Sequence, residues 1–156
     1  RLALSNEEAS MLGRISSNQG RVHRIRTSSP LDYPLHSYKF FRDCGEEGID
    51  LCLFALADFL AIGGTKIKQN EWLGEIETCR MLMEAWWEHR NEKIFPPRLV
   101  RGEEIIQAIG IPAGPKVGEI LESISEAQAL GAISNKAEAL NLAKKLIEGT
   151  KESNHE

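Results

Sequence analysis

Lys116 stands two residues after Gly114 and two before Gly118, inside the stretch Gly110-Ile-Pro-Ala-Gly-Pro-Lys-Val-Gly118. Pro115 suits the first position of a helix, where its missing N–H would have no partner anyway. A helix start presents unpaired backbone N–H groups and a partial positive charge. Gly114 lets a ligand come close to the backbone, and Lys116 adds a full positive charge. Gly114, Lys116, Val117 and Gly118 together form a candidate phosphate seat. The same residues also read as a tight helix–helix connection with a solvated lysine, and spacing alone does not choose.

The elements that hold this elbow follow from apolar spacing. A short helix is predicted from about Gly102 to Ile109, with Ile105, Ile106 and Ile109 as its stripe and Gly110 as a left-handed stop. A longer helix runs from Pro115 to about Leu130, with Val117, Ile120, Leu121, Ile124 and Gln128 at helical spacing, and Gly131 stops it. The last helix starts at Ser134 or Asn135, where Glu138 completes a capping box. It buries Ala139, Leu142, Leu146 and Ile147 and is expected to end at Gly149, leaving residues 150–156 disordered.

Upstream, Ser5 and Glu8 form a capping box for a first helix carrying Ala9, Leu12 and Ile15 on one side. The basic segment Arg21-Val-His-Arg-Ile-Arg26 reads as one or two helical turns, followed by a loop at Thr27 to Pro30. Asp32 is the expected cap of the next helix, with Pro34 in its first turn and Gly45 at its end. The helix from about Glu46 to Ile62 is apolar almost all round and is therefore expected to be central. A long helix from about Asn70 to Glu92 sets Trp72, Ile76, Cys79, Met83, Trp86 and Arg90 on one seam, broadened by Leu73, Leu82 and Trp87. Pro96-Pro97 then breaks the chain. No run alternates apolar and polar residues in the manner of a strand.

The chain has 156 residues, 42% of them hydrophobic and 27% charged, as in an ordinary globular protein. The longest uninterrupted apolar run, Leu51 to Ala57, is far short of a membrane span, and no signal peptide is expected. Cys44, Cys52 and Cys79 are an odd, widely spaced set that reads as buried or free thiols in a reducing compartment, with a cytoplasmic location expected. The net charge of −4 argues against a wholly basic nucleic-acid surface, yet residues 1–26 carry five Arg against two Glu. The start at Arg1, without methionine, suggests a piece of a longer protein.

Asp58 lies in the middle of an apolar helix, where a carboxylate needs a partner, catalytic, metallic or structural. His23, His36, His89 and His155 show no paired ligand spacing, so no metal is assigned. Trp86-Trp87 read as core or as a stacking face for a base. Arg42 reads as a surface ion pair with Asp43 or as a phosphate contact. The arginines of residues 14–26, Arg21 and Arg24 among them, read as a phosphate-contacting surface or as a solvated face. No nucleophile–base pair, P-loop or acidic metal pair is readable, so the chain does not look catalytic by itself.

Leu99 to Gly102, Gly110, Gly114-Pro115, Val117-Gly118, Gln128, Gly131 and the helix Lys136 to Ala143 resemble the C-terminal region of bacterial tRNA nucleotidyltransferases and poly(A) polymerases. Tyr38 to Asp43, Gly45 and Leu56-Ala-Asp58 resemble the later helices of the HD-like region that some members carry. Asp58 matches the last acidic position of that HD pattern, an orphan here, since the earlier His and His-Asp positions would lie before Arg1. The family's catalytic head, with its glycine-serine turn and paired aspartates, has no counterpart in the chain. The resemblance implies a parent that adds C, C and A, only A, or poly(A) to RNA 3′ ends, with magnesium and CTP or ATP held in that head. It implies no cofactor for this chain.

The sequence therefore leads to an all-α fold, an irregular helical array of seven or eight helices in two packed subdomains, residues 1–95 and 96–149. The expected function is to bind tRNA or another structured RNA beside the parent's N-terminal catalytic domain. Gly114, Lys116, Val117 and Gly118 are the leading phosphate contacts, followed by Arg98, Arg101, Arg21 and Arg24. The rival is a structural scaffold or homodimerisation module that touches RNA little, favoured by the acidic middle of the chain. A degenerate HD hydrolase remnant is a third reading. No membrane partner is expected.

Overall fold

The computed structural model describes residues 3–152, and those residues form eight α-helices with short 3-10 and π turns and no strand. The chain divides into two compact units, Arg1–Arg90 and Asn91–Glu156.

In the first unit, α1 (Asn6–Asn18) opens on the expected box. The Glu8 N–H donates to Ser5 Oγ at 3.2 Å, and the Ser5 N–H donates to Glu8 Oε2 at 2.8 Å. After Gly20, α2 (Arg21–Arg26) buries Val22 and Ile25. Helix α3 (Tyr33–Cys44) follows a 3-10 turn whose cap is Ser29; the Asp32 side chain makes no capping bond, contrary to expectation. Gly45 closes α3, its N–H 2.8 Å from Phe41 O. Then come α4 (Glu47–Gly63) and α5 (Gln69–Trp87), which stops short of Glu92 and gives way to a π turn at Arg90–Ile94.

The core of this unit is aromatic. Phe40 and Phe41 are fully buried, edge to face at 5.0 Å, and Phe41 lies 4.8 Å from the Trp86 ring. Such contacts add about 0.5–1.5 kcal/mol each beyond their area. Gly48 on α4 sits against them; a Cβ there would meet Phe41 Cε1 at 2.7 Å, so a side chain at this position would force the α3 aromatics to shift.

Helix α4 corrects the sequence reading. It is not central: only Gly48, Leu51 and Cys52 are fully buried, while Leu53, Phe54, Leu60 and Ile62 are exposed, Ile62 by 80%. Apolarity says that a helix wants covering, not that its neighbours cover it. The stretch Glu47–Lys66 is long and apolar enough to cross a membrane by length and composition alone, a property hidden when only uninterrupted apolar runs are considered. A carboxylate such as Asp58 at mid-span would cost about 2.5–3.5 kcal/mol, and the helix packs on α1, α2, α3 and α5. Leu73 and Trp87 of α5, expected in the seam, are likewise exposed, whereas Trp86 is core.

In the second unit, α6 (Gly102–Ile109), α7 (Pro115–Ala129) and α8 (Lys136–Glu152) pack each against the other two. Val100, Ile105, Ile120, Ile124, Ile133, Ala139 and Ala143 form the centre. Asn135 caps α8 through its side chain, accepting from the Glu138 N–H at 3.0 Å, while Glu138 Oε2 accepts from the Ser134 N–H at 2.7 Å. The helix continues through Gly149 to Glu152, past its expected end; a glycine costs a helix only about 1 kcal/mol and does not by itself break it. The remainder of the segment expected to be disordered, residues 153–156, lies outside the described residues.

Candidate nucleic-acid interface

The elbow of the second unit forms much as its residues dictate. Gly110 takes the left-handed conformation (φ 75°), and its N–H closes α6 on Ile106 O at 2.8 Å. Pro115 opens α7 at its first position. Gly114 is the N-cap, at φ 167°, an extended backbone that any residue adopts, and no side chain caps α7. The value of Gly114 and Gly118 lies elsewhere: both are exposed, and a Cβ at either would meet nothing within 4 Å. The backbone at the start of α7 is thus open to approach, at the positive end of a 15-residue helix.

Two of the expected contacts are more committed than the sequence suggests. Lys116 Nζ pairs with Glu119 Oε2 at 3.0 Å, three residues along the same helix. The Val117 side chain is buried, and its N–H donates to Gly114 O at 3.1 Å, so it is not a free donor. An exposed i,i+3 pair contributes little, so Lys116 can exchange Glu119 for a phosphate at small cost.

Arg98 and Arg101 are exposed, and neither forms an ion pair among the described residues. The fold brings Arg98 and Gly118 onto one cleft of about 200 Å³, together with Glu122, Ser125 and Gln128. The side chain of Gln128 holds the strap before α6 in place, donating to Pro97 O at 2.8 Å. Arg98 and Arg101 also share a wide groove with Gly102 and Glu103 at the start of α6. Glu104 accepts from the Arg101 N–H at 2.7 Å and from Lys136. The Lys136 and Arg101 bonds hold its carboxyl below the ordinary glutamate range.

In the first unit most of the arginine cluster is structural. Arg14 pairs with Glu47. Arg21 donates to Asp43 Oδ2 at 2.9 Å, Asn18 Oδ1 at 3.0 Å and Lys39 O at 3.3 Å, and lies over the Phe40 ring. Partial burial would raise the Asp43 carboxyl, but bonds from Arg42 and Arg21 hold it below its ordinary value. Arg26 Nε stands 2.8 Å from Glu75 Oε2, deep under the surface. Arg24 alone of these three α2 arginines is exposed and without an ion pair among the described residues. Sequence reasoning missed these pairings because the carboxylates lie 22 to 49 positions away from the arginines.

Asp58 is exposed on the outer face of α4, so it needs no buried partner. It borders a cavity of about 430 Å³ between α2, α4 and α5, lined also by Phe54, Ile62, Glu71 and Glu75. Glu84, Glu88 and His89 at the end of α5 bring three ligand atoms within 4.8 Å of one another, although Arg80 already holds Glu84 at 2.7 Å.

Two curated proteins match parts of the chain. A 55-residue stretch is 38% identical to the A-adding tRNA nucleotidyltransferase of Deinococcus radiodurans, covering 35% of this chain and 13% of that protein. A 90-residue stretch is 33% identical to the CC-adding tRNA nucleotidyltransferase of Thermus thermophilus, covering 58% of this chain and 18% of that protein. The chain spans less than a fifth of the length of either relative. No family model and no solved structure matches. The two partial matches support a relation between this chain and the tRNA nucleotidyltransferases.

Proposed function

We propose that the chain is the RNA-binding C-terminal region of a nucleotidyltransferase that adds CCA or A residues to RNA 3′ ends. The observation that supports this reading best is the open start of α7: exposed Gly114 and Gly118, no capping side chain, and an Arg98 without an ion pair among the described residues on the same cleft as Gly118. Backbone N–H groups and cations in that arrangement suit a phosphate backbone, which is read by shape and charge and not by base identity. The chemistry, with magnesium and CTP or ATP, belongs in this reading to a catalytic head, and no residue of this chain is assigned to it. Amide chemical shifts of the chain, followed by NMR while tRNA is added, test the reading. Shifts concentrated at Lys116 to Gly118 and Arg98 are expected; shifts absent from all four would reject it.

A second reading is favoured by a specific observation, the exposed apolar side of α4. In it the first unit is a scaffold that holds another protein surface, and RNA contact is confined to the second unit or is slight.

A further inference from the structure

We infer that Gln128 is a positioning residue for RNA: its bond to Pro97 keeps Arg98 on the cleft that carries Gly118. The inference rests on the proposed function and adds the residue that prepares its arginine.

The strap, positions 96–101, lies in no helix. It runs along α7 in the opposite direction. At one end Gln128 Nε2 donates to Pro97 O at 2.8 Å. At the other, a Cβ on Gly102 would meet Val117 Cγ1 at 3.3 Å and Leu121 Cδ1 at 3.8 Å. The strap therefore passes from the last turn of α7 back towards its first.

The two ends are held by different forces. Val100 is buried in the core of the unit and Leu99 packs against that core, so burial fixes the end nearest α6. Positions 97 and 98 have no such anchor. Both are exposed, and among the described residues no backbone–backbone hydrogen bond reaches positions 96–100. Pro96 and Pro97 have no N–H to give. The Gln128 bond is the polar tie at this end, and it falls one residue before Arg98.

Arg98 is the arginine of the cleft of about 200 Å³ that Gly118 and Gln128 also line. A guanidinium contributes most to a phosphate contact when its backbone is already placed, because less freedom is lost on binding. Gln128 is uncharged and its nitrogen is engaged with Pro97, so its effect reaches RNA through Arg98.

Gln128→Met removes the donor while keeping a long side chain and a good helix former. In the 156-residue chain without RNA, NMR relaxation of the Arg98 and Leu99 amides reads the strap directly. The order parameter at Arg98 should fall from about 0.85 to about 0.6 or below, with Ile105 and Ile124 unchanged. An Arg98 amide as ordered as in wild type overturns the proposal. A fluorescence titration with tRNA then reads the consequence. Gln128→Met should weaken binding by about threefold to tenfold, the range of one hydrogen bond, and make the salt slope shallower by up to about one. Arg98→Ala alone should weaken binding at least as much, and in that background Gln128→Met should cost nothing further. Loss of packing alone would not produce this coupling. Unchanged affinity in either single variant, or equal losses from Gln128→Met in the two backgrounds, overturns the proposal. Failure of the function has its own signature: the wild-type chain then binds no tRNA, which rejects both.

Discussion

Arg26 Nε lies 2.8 Å from Oε2 of Glu75, the one carboxylate buried among the described residues. The pair ties α2 to α5 and compensates a charge that water cannot reach. Arg26→Met leaves Glu75 buried without its cation and should cost about 3–5 kcal/mol, whereas Arg26→Met combined with Glu75→Met should cost much less. Urea titrations of the three variants measure this. A double variant as unstable as the single one would mean that the pair is not the unit.

Arg21 and Arg24 are three residues apart and face different fates. Arg21→Ala removes bonds to Asp43, Asn18 and the Lys39 carbonyl and should lower stability by about 1–3 kcal/mol. Arg24→Ala should leave stability within about 0.5 kcal/mol of wild type. Thermal melts of the two variants, side by side, check the assignment of Arg21 to the fold.

Two glycines on the helices should respond with opposite sign. Gly48→Ala drives a methyl into Phe41 and should destabilise by about 1–3 kcal/mol. Gly118→Ala meets open space within a helix and should stabilise by about 0.5–1 kcal/mol. On the proposed function, Gly118→Ala should also weaken tRNA binding, because the methyl stands where the phosphate approaches. A variant that is more stable and binds equally well would remove Gly118 from the site.

The helix starts of the second unit should be sensitive to acid. Glu138, held by the Ser134 N–H, and Glu104, held by Lys136 and the Arg101 N–H, both have carboxyls depressed below the ordinary 4.5. A depressed carboxylate contributes stability that is present above 4.5 and lost as pH falls through the folded value. Stability of α6 and α8 should therefore be flat from about pH 7 to 5 and fall below the ordinary glutamate range. NMR signals of the Arg101 and Ser134 amides report it, and Glu138→Gln should remove the Ser134 response.

Helix ends were legible from sequence because they are local. Ser5 with Glu8, Gly110, Pro115 and Asn135 with Glu138 each act within four residues, and all appear in their expected roles. The all-α fold follows from the same apolar spacing. What covers a helix is not local: α4 reads as central because its composition says nothing of its neighbours. The ion pairs of Arg14, Arg21 and Arg26 span 22 to 49 positions, so a cluster that looks basic in sequence is largely neutralised in space. The cleft that joins Arg98 to Gly118 needs α7 folded back beside the strap before α6, a juxtaposition no spacing rule contains.

The central claim, that this chain grips RNA through the start of α7, is met most directly by a fluorescence titration of tRNA at about 50 and 200 mM salt, with wild type beside Lys116→Glu and Gly118→Asp. Binding should weaken steeply with salt, and the variants should bind less tightly with a salt slope shallower by about one. Wild-type binding that is absent at roughly 50 µM, a concentration inside the ordinary non-specific range, or variants with unchanged affinity and slope, would contradict it.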